Sequence, residues 1–444
     1  MPGGRSSSRR ISRNRFWIIF GALVIPLIIT LVQIHLGFIL SNGDHGESVF
    51  VRSGPSKNRY DAGLPTQNRT KIKLNGKMKM EDMPMEMDIL IEDGPIYDTP
   101  IIHPNVRDFD SGIKGVIVTK IQGSEREIDS ARQMLCLLTK AYNNRVNHDI
   151  VIFTSEAINA TQIELLQKIV HPAKLTVAVD NPGLHQMVDE LSPARKKHLL
   201  DRCNVTKTSE LSWRTKCWEE GSNQKTHEMI AYNWQAEFRS LWMWTHPLLA
   251  PYKYMMWVDS DAFCTRIWNQ DPFAAMERHD LALLFDHFPM GQARGYEFPR
   301  LTKQVFDRVI CSIKLVNGTL QAFDGKCQNR RKAMLPNVHG FFHVTSLDFF
   351  RSEPVMTWNK AMIGDTKFSR LFDDQIGITI PSAVLASNRS RDMAGMGIYP
   401  RVYHNYFLDG KGNNWRGNFK KWWEKNAETT FPEAIGQCEI TTRS

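Results

Sequence analysis

No CxxC pair stands among the seven cysteines, which removes the usual framework of a structural zinc site. No arginine-rich tract lies beyond the N-terminal segment; the formal net charge of +9 is spread along the chain, which argues against a nucleic-acid-binding protein. No tandem repeat divides the sequence, so a repeat array is excluded. After the first apolar run, Leu40-Ser41-Asn42-Gly43 offers no small-residue cleavage site, which argues against a removed signal peptide. No KDEL-like tail appears at Thr441-Thr442-Arg443-Ser444, so that retrieval signal does not separate Golgi from endoplasmic reticulum.

What is present begins with size. The 444 residues, 42% of them hydrophobic, can bury a full core as one large α/β domain or two closely packed ones. Arg5, Arg9, Arg10, Arg13 and Arg15 precede an apolar run from Phe16 to about Leu40, broken only by Thr30, Gln33 and His35. That run meets the roughly 20 residues needed to span a bilayer. With the positive flank held in the cytoplasm, the expected topology is type II, with the rest of the chain lumenal. The expected divisions are a tail at 1–15, a signal-anchor at 16–40, a polar stem at 41–112 and a catalytic domain at 113–444. Glycan acceptor triplets at Asn68, Asn159, Asn204, Asn317 and Asn388 fit a secretory compartment. Cys203 and Cys217, and Cys311 and Cys327, are spaced as local loops; Cys136, Cys264 and Cys438 are scattered, and pairing is left open.

From Gly115 the pattern changes. GVIVTKI reads as a buried strand, SEREIDSARQMLCLLTKAYNNRV as an amphipathic helix and DIVIFTSE as a second strand; ATQIELLQKIV and AKLTVAVD repeat the alternation. Such alternation predicts a parallel sheet with helices on both faces. Ligands then bind beyond the carboxyl ends of strands, where short polar motifs carry the chemistry. The strongest is YKYMMWVDSDAFCT, in which an apolar strand from Tyr254 to Val258 ends at Asp259-Ser260-Asp261. Carboxylates so placed can hold a hard cation such as Mn²⁺ or Mg²⁺ against a diphosphate; the competing role is a helix cap at Ser260 or Asp261. FSRLFDDQIGITI adds Asp373, Asp374 and Gln375, and IYPRVYHNYF adds His404, whose imidazole can complete a Mn²⁺ shell.

These pieces, in this order from about Lys114 to Asn418, resemble the GT-A-fold transferases of the fungal α-1,2-mannosyltransferase type, glycosyltransferase family 15. The opening GVIVTKI to FTSE stretch, FRSLWMWTHPLLAPYKYMMWVDSD, SLDFFRSE, FDDQ and the YH motif carry the resemblance. It implies a GT-A lumenal domain with a Rossmann-like mixed sheet, and Asp259 and His404 as metal ligands with Asp261 beside them. Two departures stand out. Family members usually have Glu-Pro at Asp259-Ser260, and the WVDSDA and DDQ wording is similar to plant-type galactosyl- and xylosyltransferases of family 34. The family's nucleophile-like glutamate falls on His343, which cannot form a glycosyl ester.

The resemblance therefore implies a retaining, Mn²⁺- or Mg²⁺-dependent transferase of the Golgi membrane. Its donor would be GDP-mannose, or alternatively UDP-galactose or UDP-xylose, and its acceptor a protein- or lipid-linked glycan. A lectin or scaffold that keeps the fold is the non-enzymatic alternative, against which the intact acidic motif argues. Asp373 or Asp374 would stand by the anomeric centre, with Gln375 on a sugar hydroxyl. Donor contacts fall to Asp261, Arg239, and Lys411 and Arg416 of the Gly-rich DGKGNNWRGNFKKWW stretch. Trp415, Trp422 and Trp423 in that stretch are read as packing residues more readily than as sugar platforms.

Overall fold

The computed structural model describes residues 112–218, 227–288, 292–295, 298–325, 333–364, 374–404, 423 and 425–438. The expected tail and anchor and the stem as far as residue 111, together with Asp373, Lys411 and Arg416, lie outside these residues, as do Asn68, Trp415 and Trp422. Among the described residues no helix is long and apolar enough to cross a membrane.

The first half follows the alternation: β1 (Gly115–Ile121), α1 (Glu125–Ala141), β2 (Asp149–Thr154), α2 (Ala160–Val170), β3 (Leu175–Val179), α3 (Leu184–Asp189) and α4 (Pro193–Cys203). Ser124 caps α1 in a capping box with Glu127, which satisfies two of the orphan N–H groups at the helix start. Short strands β4 (Lys216–Trp218) and β5 (His227–Met229) pair and lead into α5 (Ile230–Glu237), which continues as a single π turn, Phe238–Trp242. Then come β6 (Tyr254–Val258), β7 (Ala262–Cys264), α6 (Pro272–Arg278), β8 (Leu283–Phe285), β9 (Gln292–Gly295) and α7 (Phe298–Phe306). The hairpin β10 (Ile310–Val316) and β11 (Thr319–Asp324) turns at Asn317-Gly318, both with positive φ, the geometry that Asn-Gly tolerates best. The chain continues through β12 (Ala333–Pro336), β13 (Phe342–Ser346), α8 (Leu347–Arg351), α9 (Glu353–Ile363), α10 (Asp374–Leu385), β14 (Ser390–Asp392) and β15 (Val402–His404).

Nine strands form one sheet in the order β10-β11-β14-β8-β13-β6-β1-β2-β3. The parallel expectation holds for β6, β1, β2 and β3. It fails at β13, which runs antiparallel to both β6 and β8, so the sheet is mixed. Periodicity reports which face a residue buries and is silent on strand direction. Along β1, Val116 and Val118 pack into one apolar cluster and Ile117 into another, on the two faces of the sheet. Every residue of β1 and β6 is buried, which makes these two strands the rigid centre.

Cys203 pairs with Cys217, as their spacing allows, while Cys136 of α1 pairs with distant Cys438. Cys311 is disulfide-bonded, and Cys264 is a buried free thiol. Trp423 is buried in the same cluster as Cys438, in keeping with a packing role. The four described acceptor asparagines, Asn159, Asn204, Asn317 and Asn388, are all exposed.

Candidate active site

At the carboxyl end of β6 the buried run stops and the chain turns. The Asp259 N–H donates to the carbonyl of Phe341 at 2.8 Å, and the Ala262 N–H donates back to the Asp259 carbonyl at 3.0 Å. This closed turn leads into β7, so Ser260 and Asp261 cap no helix; the cap of the next helix is Asp271. β7 pairs antiparallel with β15, and His404 lies directly opposite Ala262. The sheet thus brings the backbone of His404 beside the acidic turn from a point far along the sequence. Its side chain lies outside the described atoms.

A cleft of about 720 Å³ opens over the carboxyl ends of β1 and β6. Asp259, Asp261, Arg239, Asp374 and Gln375, five of the residues singled out from sequence, line it together. Arg239 is their hub. It belongs to the π turn, a helix irregularity frequent at functional sites, and its side chain is only 5% exposed. Its guanidinium lies over the ring of Trp257, 4.0 Å from the centroid. It pairs closely with Asp374 Oδ2, stands 3.5 Å from Asp259 Oδ1, and donates to the carbonyl of Gly340. Trp257 Nε1 also donates to Asp259 Oδ1, at 2.6 Å. Sequence assigns Arg239 to donor contacts; in the structure it lines the cleft while buried between two carboxylates, which it orders.

Asp374 sits in the first turn of α10, where a carboxylate is favoured by the helix dipole. Gln375 accepts from Asn337 Nδ2 at 2.6 Å. Gly340 makes this approach possible: a Cβ there would stand 3.0 Å from Gln375 Cγ and 3.2 Å from Arg239 Nη2. His343, by contrast, does not line the cleft. It is fully buried on β13, opposite Trp257 and Phe285, and neither ring nitrogen has a hydrogen-bond partner. Burial, reinforced by the charge of Arg239, holds its pKa well below the usual histidine value, so it is neutral.

Among the described residues no group of three His, Cys, Asp or Glu side chains is placed to hold a metal ion. The available donors are nevertheless of the right kind. Asp259 and Asp261 offer hard oxygens and line the cleft together with Asp374. Carboxylate oxygens are donors of the kind that Mn²⁺ or Mg²⁺ takes.

Sequence reasoning missed the end of β1. Lys120, Gln122, Ser124 and Glu127 line the same cleft. Lys120 is buried and pairs with Asp180 at 2.5 Å, and Trp234 Nε1 donates to the same carboxylate at 2.9 Å. Desolvation lowers the Lys120 pKa, with Asp180 opposing the shift. The signal was available, since KIQGSERE is itself a short polar motif directly after a strand. His339 and Gly340, just before β13, carried no comparable pattern.

No family model matches the chain, and no curated protein matches it in sequence. Solved structures do. Core-mannan synthase A from Aspergillus fumigatus, in its Mn/GDP form, matches with TM-score 0.48 and 14% identity, over 67% of this chain and 78% of that one. The mannosyltransferase Ktr4p from S. cerevisiae in complex with GDP gives 0.49 and 15%, over 71% and 82%. Mouse xyloside xylosyltransferase 1 gives 0.30 and 10%, over 61% and 81%. Fungal mannosyltransferases, whose motifs the sequence resembles, are thus among the structures to which this chain is similar.

Proposed function

We propose that the chain is a retaining, metal-dependent glycosyltransferase that moves mannose from GDP-mannose to a protein- or lipid-linked glycan. We place it in the Golgi membrane, anchored through residues 16–40 with the catalytic domain lumenal. The observation that carries the reading is the Arg239 hub, which holds Asp259 and Asp374, contributed by β6 and α10, on one cleft with Asp261. A binding scaffold has no need of a buried guanidinium that fixes one carboxylate after a central strand and another at a helix start on the same cleft.

Asp259 and Asp261, with His404, would hold Mn²⁺ or Mg²⁺, and the ion when bound supplies positive charge against the leaving diphosphate. Asp374, fixed by Arg239, steadies positive charge developing at the anomeric carbon or orients the acceptor hydroxyl. Gln375 hydrogen-bonds a sugar hydroxyl from the neighbouring position. Because His343 is neutral, buried and outside the cleft, no covalent intermediate forms there. Departure and attack then share one face, and the leaving phosphate takes the acceptor's proton. Asp373, Lys411 and Arg416 complete the sugar and diphosphate contacts in this scheme.

The test uses the detergent-solubilised full-length chain with Mn²⁺ and a panel of GDP-mannose, UDP-galactose, UDP-glucose and UDP-xylose. Metal-dependent release of GDP supports the proposal. Release of UDP alone moves the donor to the UDP-sugar alternative, and no turnover with any donor leaves the lectin or scaffold reading in its place.

A further inference from the structure

At the end of the cleft formed by β1 and the start of α1, three lining residues, Lys120, Gln122 and Glu127, have complementary hydrogen-bonding capacity. Lys120 spends two of its three N–H bonds inside the protein, on Asp180 Oδ2 at 2.5 Å and Ser155 Oγ at 2.6 Å. Gln122 is only 8% exposed, and its Nε2 has no hydrogen-bond partner. A buried amide donor left unmet at the wall of a cleft is costly unless a ligand satisfies it. Glu127 supplies the acceptor. Its Oε2 takes the backbone N–H of Ser124 at 3.1 Å and the Ser124 hydroxyl at 2.8 Å, and its charge reaches Lys120.

The capping box also decides what this end does not bind. A free helix N-terminus attracts phosphate, but here the Glu127 carboxylate already occupies it. A phosphate at that helix start would meet the Glu127 carboxylate. A neutral ring edge that presents N–H donors to Glu127 and an acceptor to Lys120 and Gln122 meets the opposite.

We propose that Lys120, Gln122 and Glu127 form the base subsite of the donor nucleotide and select guanine. This rests on the nucleotide-sugar reading above. Guanine offers O6 as acceptor beside the N1–H and N2–H donors, so O6 faces the Lys120 and Gln122 donors while the two N–H groups face the carboxylate. Uracil places its O2 acceptor where guanine has the N2 donor, against the Glu127 charge. Adenine puts an amino donor where guanine has O6. Glu127 is then a specificity-determining residue, as a site built to accept N–H groups discriminates strongly against analogues that lack them.

The experiment measures binding of GDP, IDP, UDP and ADP to the full-length chain with Mn²⁺ by titration calorimetry. IDP lacks only the N2 amino group. GDP should bind most tightly, with IDP about tenfold weaker and UDP weaker by at least as much. Glu127→Gln keeps the capping box, since glutamine serves at that position, and should weaken GDP about tenfold while changing UDP little. Gln122→Leu should likewise weaken GDP. If IDP equals GDP, if UDP or ADP binds as tightly, or if E127Q leaves the GDP-to-UDP ratio unchanged, the base assignment is overturned while the transferase reading stands. Absence of binding by every diphosphate overturns both.

Discussion

Replacing Arg239 by methionine keeps much of the side-chain volume over Trp257 and removes the charge. Two carboxylates then lose the guanidinium they share, Asp374 with 13% and Asp259 with 20% of its side chain exposed. Breaking a buried ion pair by removing one partner costs about 3–5 kcal/mol, and residual exposure here argues for the lower end, about 3 kcal/mol. For a domain of roughly 300 residues, unfolding entropy converts this to a fall in Tm of about 5 °C. The carboxylate that Asp374 presents to the cleft also loses its anchor, and loss of positioning on that scale lowers kcat by about 100-fold. Calorimetric melting of R239M, D374N and the double variant separates these effects. If Arg239 serves to offset the carboxylates, D374N should cost less in the R239M background than in the wild type, with a coupling of about 1–2 kcal/mol. Arg239→Lys should recover only part of the loss, because one ammonium cannot stack on Trp257, reach two carboxylates and donate to Gly340 together. Strict additivity, or an unchanged Tm in R239M, would refute the reasoning.

Three further outcomes follow from other parts of the molecule. Asp259→Asn should abolish metal-dependent donor hydrolysis and leave Tm within about 2 °C of the wild type; full activity in the presence of Mn²⁺ would remove Asp259 from the site. Cys136→Ala with Cys438→Ala opens a covalent link between residues 302 apart in sequence and should cost about 3–5 kcal/mol, read as a lowered denaturation midpoint with unchanged chemistry. His343 has a folded pKa held well below its unfolded value of 6.5, so below pH 6.5 the unfolded chain takes up a proton that the folded chain refuses. Stability should therefore decline as pH falls from 6.5, by up to about 1.4 kcal/mol per pH unit, and His343→Leu should remove that part of the decline; a parallel pH profile in H343L would contradict the assignment.

The sequence announced the centre of the molecule better than its edges. β1, α1, β2 and α2 were legible because buried strands and capped amphipathic helices obey local periodicity and local hydrogen bonding, as GVIVTKI and the Ser124–Glu127 box do. The antiparallel insertion of β13 was not legible, because FHVTS reads the same in either direction. In the site, Asp259 and Asp261 stood out by position after an apolar strand. The part played by Arg239 did not, since it depends on a π turn and on Gly340, 101 residues later, coming within reach. Lys120 and Gln122 look like strand-end polar residues until Asp180 and α1 bury them. Long-range burial converts such residues from surface to site, and no local window contains it.

The π turn has one more consequence. Tyr232 and Gln235 upstream, and Arg239 at the start of the turn, follow ordinary helical spacing along the cleft wall. Downstream, Met243 and Trp244 are buried in the core while Trp242 is exposed. A helix of constant phase turns about 100° per residue and would tie these two faces to one another. The extra residue in the turn breaks that tie, so the wall and the core can each adopt their own phase. Insertion and deletion, more than substitution, are then the changes to which this segment is most exposed. Removing one residue between Phe238 and Trp242 would rotate the guanidinium away from its carboxylates or lift Trp244 out of the core, with every side chain chemically intact.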